Sequence, residues 1–141
     1  MVHSIHNSKS DKDTQVIGEE FAKELKPGDI VLLYGDLGFG KTTFVKGVAK
    51  GLGVTSRIIS PTFVVIRSHK THSGELSHID LYRLENKEQL KEIGLDELMQ
   101  DKFSIKLIEW PERMNMGGKR WEVKFKMNKD NTRTINIYEY K

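Results

Sequence analysis

The chain has 141 residues, room for one domain with a core held by apolar burial. At 37% hydrophobic and 30% charged, with 12 Gly and 3 Pro, it is globular in make-up rather than disordered or collagen-like. Cysteine is absent, which excludes disulfide staples, Cys-ligated zinc, iron–sulfur clusters and thiol catalysis. No run approaches the roughly 18 apolar residues of a membrane span and no signal-peptide core opens the chain, so the expected location is cytoplasmic. The net charge of +3 is by itself a weak pointer to polyanions. Basic residues do gather in the last third, at Lys119, Arg120, Lys124, Lys126, Lys129 and Arg133. They read either as the solvated face of a hairpin or as a docking surface.

Residues 1–9 show no hydrophobic period and read as a flexible tail ahead of a single domain over 10–141. Ser10 and Asp13 form a capping box, and Ile17, Phe21 and Leu25 stripe a helix that stops near Pro27-Gly28. Ile30 to Tyr34 is an apolar run suited to a strand buried on both faces. A Gly-rich turn follows, then a helix over 41–50 ended by Gly51 and Gly53. Strands are predicted over 63–67 and 76–81, joined through a polar turn at 68–74. Residues 86–101 predict two helical pieces broken at Gly94, and 103–109 another strand. Trp121, Val123, Phe125 and Met127 alternate before a turn at 128–131 and Ile135, Ile137 and Tyr138, the pattern of a β-hairpin. The order of elements predicts one α/β layered structure.

Gly35-Asp36-Leu37-Gly38-Phe39-Gly40-Lys41-Thr42 matches G-x-x-x-x-G-K-[ST] in full. A chance match in such a chain is on the order of one in a few hundred, and an apolar strand before and a helix after are the context the motif requires. Phosphate oxygens need several inward donors. Gly38 and Gly40 let the backbone approach them, and the helix that follows adds its positive end. Lys41 supplies charge to the β- and γ-phosphates, and the Thr42 hydroxyl is a hard ligand for Mg²⁺.

Such a site also needs an acid at a neighbouring strand end, where ligands bind in open α/β sheets. Asp80 and Glu109 both qualify. One would ligate metal while the other orients water, and spacing does not choose between them. Thr62, in Ser60-Pro61-Thr62, lies where nucleotidases carry a switch segment that meets Mg²⁺ or the γ-phosphate. Trp110 reads as core, as a strand cap or as a site residue. His69 and His72 read as solvated.

The P-loop, together with Ser60-Pro61-Thr62-Phe63, His78-Ile79-Asp80-Leu81-Tyr82-Arg83 and Glu109-Trp110-Pro111-Glu112, resembles the TsaE (YjeE) family of small bacterial ATPases. The resemblance covers nearly the whole chain, with the motifs in the family's order. It implies a P-loop NTPase-like α/β sheet with helices on both faces, mostly parallel and extended by an antiparallel C-terminal hairpin. It implies ATP hydrolysis in the making of threonylcarbamoyladenosine at position 37 of tRNA, with TsaB and TsaD as partners. By that resemblance the Mg²⁺ ligands are Thr42 and Glu109, and the motif acid and switch Thr are Asp80 and Thr62. The nucleotide contacts are Gly38, Phe39, Gly40, Lys41, Thr42 and Thr43, with Thr14 and Arg133. Phe39 departs from the family's usual Ala and is expected to alter the outer face of the loop.

A GTPase switch is the competing reading. Guanine selection usually uses Asn-Lys-x-Asp, and Asn86-Lys87-Glu88-Gln89 and Asn128-Lys129-Asp130-Asn131 both lack the final Asp. A small-molecule kinase would need an acceptor pocket and an Arg-rich lid insertion, which the chain lacks. A non-catalytic nucleotide-dependent adaptor differs from the ATPase only in turnover. Slow turnover alone is expected, completed by a partner or by Arg83 in cis.

Overall fold

A computed structural model describes residues 2–36, 38–58, 66–84, 86–114 and 116–141. In chain order its elements are β1 (Val2–Ser8), α1 (Asp11–Ala22), β2 (Ile30–Tyr34), α2 (Lys41–Gly51), β3 (Ile66–Lys70) and β4 (Glu75–Asp80). There follow α3 (Lys87–Glu92), α4 (Leu95–Gln100), β5 (Ser104–Glu109), a 3₁₀ turn (Pro111–Arg113), β6 (Arg120–Met127) and β7 (Arg133–Tyr140).

The described strands form one sheet in the order β1-β7-β6-β2-β5-β4-β3. β6, β2, β5 and β4 run parallel in the middle; β7 and β1 at one edge and β3 at the other pair antiparallel. The sheet is therefore mixed rather than mostly parallel. The terminal hairpin is not a simple extension either, because β6 lies parallel to β2. Val31 pairs with Trp121 and Leu33 with Val123, so β6 continues the apolar face of β2 under the same helices.

Residue parity decides the two faces. Val31, Leu33, Leu76, Ile105, Leu107, Val123, Ile135 and Ile137 pack against Phe21, Phe44, Val45 and Val48 of α1 and α2. Leu32, Ile79 and Ile108 pack on the other side with Leu95, Leu90 and Ile93 of the α3–α4 segment. β2 is apolar along its length and β5 is buried along its length, because helices cover both faces of the sheet there. The ring pairs Phe21–Trp121 and Phe44–Phe125, with centroids 5.1 and 5.4 Å apart, tie the hairpin to α1 and α2.

Residues 2–8 are not a free tail. β1 pairs antiparallel with β7 from Val2↔Tyr138 to Ser8↔Arg133. Its side chains are mostly exposed (Ile5 is 66% accessible), so main-chain hydrogen bonding rather than apolar burial places it. β3 begins at Ile66 and runs to Lys70, which narrows the predicted turn to 71–74; residues 59–65, with Ser60, Pro61, Thr62 and Phe63, lie outside the described residues. The two Asn-Lys strings serve local structure: Asn86 caps α3 by accepting from Gln89 N–H at 3.1 Å, and Asn128 to Asn131 turn the β6–β7 hairpin. No described helix is long and apolar enough to cross a membrane.

Candidate active site

The P-loop leaves the carboxyl end of β2 and enters α2 at Lys41. Gly40 caps that helix at φ +94°, and a Cβ there would meet Arg133 Nη1 at 2.9 Å. The backbone sign favours glycine, while the Arg133 side chain could shift to make space. Lys41 is only 5% exposed, and its Nζ has no hydrogen-bond partner among the described residues. It sits 4.2 Å from the Trp110 ring centroid. Burial lowers its pKa from the ordinary lysine value; the negative charges of Glu109, Glu112, Asp80 and Asp36 oppose this. An ammonium held dry without a hydrogen bond is costly, and an anionic ligand supplies what it lacks.

The two candidate acids end adjacent parallel strands in register, Asp80 opposite Glu109. Asp80 Oδ1 accepts the Tyr82 N–H at 2.9 Å. Burial raises its pKa above the usual carboxylate value and Glu109 adds to this, while the Tyr82 amide, His78 and Lys41 work the other way. Glu109 is 4% exposed, and its Oε2 accepts from His78 Nε2–H at 2.6 Å.

Trp110 follows Glu109 at φ +58°, ψ +49°, a left-handed conformation that costs a bulky residue about 1–3 kcal/mol. Pro111 then opens the 3₁₀ turn. This reversal brings the indole over Lys41 and against Tyr82, ring centroids 4.8 Å apart. Trp110 both packs against the second apolar cluster and lines the cleft, so the core and site readings hold together.

These groups share a cleft of about 530 Å³ lined by Gly38, Gly40, Lys41, Thr42, Thr43, Asp80 and Glu109, with Asp11, Tyr82, Arg83, Trp110 and Arg133 around them. Arg133 Nη1 donates to Asp11 Oδ1 at 2.8 Å and to Thr14 Oγ1 at 3.4 Å. Two of the expected contacts, Thr14 and Phe39, are not among the residues that line this cleft. Thr14 is fully buried behind Arg133, its hydroxyl 2.7 Å from Ser8 Oγ, so it braces Arg133 and does not line the cleft. Phe39 turns inward against the main core instead of presenting its ring on the outer face of the loop. Thr62 is outside the described residues. His69 is half-buried rather than solvated, its Nδ1 2.7 Å from Ser56 Oγ.

Sequence reasoning assigned no role to His78, Tyr82 or Asp11. His78 did leave a trace, since two-residue spacing puts it on the same strand face as Asp80. The Asp11–Arg133 contact spans 122 residues of chain and left none.

Two carboxylates and the Thr42 hydroxyl are hard oxygen donors. Among the described residues no group of three or more His, Cys, Asp and Glu converges as a metal cage. Mg²⁺ commonly takes one or two protein carboxylates and completes its shell with substrate phosphates and water, so the residues present fit it.

Comparison with known proteins agrees with this geometry. Residues 8–135 match the family model of the threonylcarbamoyl adenosine biosynthesis protein TsaE. The chain belongs to the TsaE family. A TsaE protein from Rickettsia bellii is 39% identical over 140 residues, covering 97% of this chain and 96% of the relative. One from Bacillus subtilis is 37% identical over 128 residues, covering 89% and 79%. The crystal structure of Bacillus subtilis YdiB superposes with a TM-score of 0.81 at 33% identity, covering 97% of this chain and 86% of that one. The TsaE match contains Lys41, both strand-end acids and Arg133, the residues gathered at the cleft.

Proposed function

We propose that this chain is a Mg²⁺-dependent ATPase of the cytoplasm that serves threonylcarbamoyladenosine modification of tRNA at position 37, acting with TsaB and TsaD. The observation that carries the reading is Lys41, a buried ammonium with no hydrogen-bond partner among the described residues, at the mouth of a P-loop in a cleft shared with two strand-end carboxylates. The relatives' names, tRNA threonylcarbamoyladenosine biosynthesis protein TsaE, support the pathway.

On this reading Lys41 and the loop amides bind the β- and γ-phosphates, and Thr42 and Glu109 hold Mg²⁺, with Asp80 organising water beside them. The ion would neutralise charge developing between the β- and γ-oxygens. Thr43 and Gly38 line the phosphate end, Thr62 acts as the switch residue, and Arg133, which lines the cleft, contacts the nucleotide. Trp110 screens Lys41 from water, which strengthens its pull on phosphate. Both near-matches to a guanine-selecting string are engaged in a cap and a turn, which favours ATP over GTP.

The test compares ATP and GTP hydrolysis by wild type and Lys41→Ala, alone and with the TsaB–TsaD pair and tRNA. Slow turnover of ATP alone, faster with partners, is the expected result. Lys41→Ala should lose turnover by about 10²-fold or more with an unchanged melting temperature. Full ATPase activity in that variant would sink the proposal.

A further inference from the structure

His78 is 0% exposed on β4 and does not line the cleft, yet its Nε2 lies 2.6 Å from Glu109 Oε2. A carboxylate oxygen accepts, so the ring proton is on Nε2. The other ring nitrogen, Nδ1, is buried with no partner among the described residues. A buried imidazole with one unsatisfied nitrogen costs about 1–3 kcal/mol relative to a satisfied or apolar side chain. Packing alone would be better met by an aliphatic residue, as at Leu76 two positions earlier on the same face. Asp80 is fixed by a backbone amide through Oδ1. Glu109 ends its strand just before a backbone reversal at Trp110, and a side chain, His78, holds it.

We propose that His78 is a positioning residue acting through Glu109: it pins Oε2 so that Oε1 is the oxygen presented to the cleft. The inference rests on the ATPase reading above, in which Glu109 is a metal ligand. Partners one shell out from a ligating carboxylate typically contribute 10- to 100-fold to affinity or activity, because they remove alternative orientations of the ligand.

Two measurements on the full chain test it. Long-range ¹H–¹⁵N NMR of wild type should show His78 as the Nε2–H tautomer, with a signal that moves in Glu109→Gln. An Nδ1–H tautomer, or no response to Glu109→Gln, overturns the proposal whether or not any His78 variant folds. The second measurement uses His78→Gln, whose amide nitrogen falls near the position of Nε2, and His78→Asn, whose amide nitrogen falls near Nδ1. Calorimetric ATP binding with and without Mg²⁺ is read beside turnover. His78→Gln should keep turnover within about threefold, while His78→Asn loses roughly 10- to 100-fold. The Asn variant should also lose most of the Mg²⁺-dependent gain in ATP affinity while binding ATP normally in EDTA. Wild-type behaviour in His78→Asn, or equal impairment of the Gln and Asn variants, counts against the inference. If wild type itself neither binds nor hydrolyses ATP, the ATPase reading has failed, and the NMR tautomer still decides the His78–Glu109 pairing.

Discussion

Among the described residues two lysines are buried, Lys41 at the start of α2 and Lys106 in β5, and their surroundings differ in kind. Lys41 Nζ has an aromatic ring beside it and no hydrogen-bond partner among the described residues, the condition of a group kept for a ligand. Lys106 is fully buried in β5 and donates to the carbonyls of Ser104, at 3.0 Å, and Asp101. Burial lowers the pKa of Lys106 below its ordinary 10.5, against the charges of Asp101 and Asp29. Folding therefore disfavours its charged form, and that penalty is complete below the folded pKa and gone above 10.5. The stability of wild type relative to Lys106→Met should rise as pH increases through the alkaline range towards 10.5, read from urea midpoints of both proteins. A difference that stays flat across that range would show that the ammonium is not desolvated in the fold. In the sequence, Lys106 interrupts the apolar run from Ile105 to Ile108. What distinguishes it is the loop carbonyls at Asp101 and Ser104, which only the folded chain end of β5 presents to it.

Helices α1 and α2 meet through backbone. A Cβ on Gly47 would lie 2.0 Å from Gln15 O, and one on Gly18 would lie 2.5 Å from Phe44 O. Neither obstacle is a flexible side chain, so Gly47→Ala must push the helices apart. The expected cost is about 1–3 kcal/mol, despite roughly 1 kcal/mol of better helix propensity. A urea titration measures it, and a rise in KM for ATP should accompany it because α2 carries Lys41 at its first residue. A stabilised Gly47→Ala would refute this packing account. The helices and inner strands were legible because period, caps and breakers coincide: Ser10 does cap α1 by accepting from Asp13 N–H, and Gly94 does divide α3 from α4. β1 was not legible. Its burial pattern alternates weakly and ends in a single buried serine, so hydrophobicity had nothing to report.

The first and last strands close the molecule around the cleft. Ser8 Oγ donates to Ser10 O at 2.8 Å, so the Thr14 hydroxyl donates to Ser8 and accepts from Arg133. One chain of hydrogen bonds thus runs from β1 through α1 to β7 and sets Arg133 beside Gly40. Thr14→Val should cost about 0.5–1.5 kcal/mol of stability, seen as a lowered melting temperature, by removing the hydrogen bond to Ser8 Oγ while Ser8 keeps its bond to Ser10 O. ATP affinity, measured by calorimetry, should change by less than about twofold, since Thr14 does not line the cleft. A tenfold loss of affinity at unchanged stability would instead make Thr14 a nucleotide contact.

Much of the candidate site was readable as one-dimensional pattern. The P-loop is contiguous, and Asp80 and Glu109 are strand-terminal acids whose positions follow from apolar runs. Local spacing can encode these because each depends on its own strand or turn. Composition excluded thiol and disulfide chemistry outright. Other features needed the sheet. The parallel docking of β6 on β2, the capture of residues 2–8 by β7 and the partners of Glu109 and Arg133 all join segments far apart in sequence. No local propensity specifies which strand edges meet, whereas burial of both faces of β2 and β5 under four helical segments does. That packing brings His78 to Glu109 and Trp110 over Lys41, so the motif residues came from the chain and their alignment from the fold.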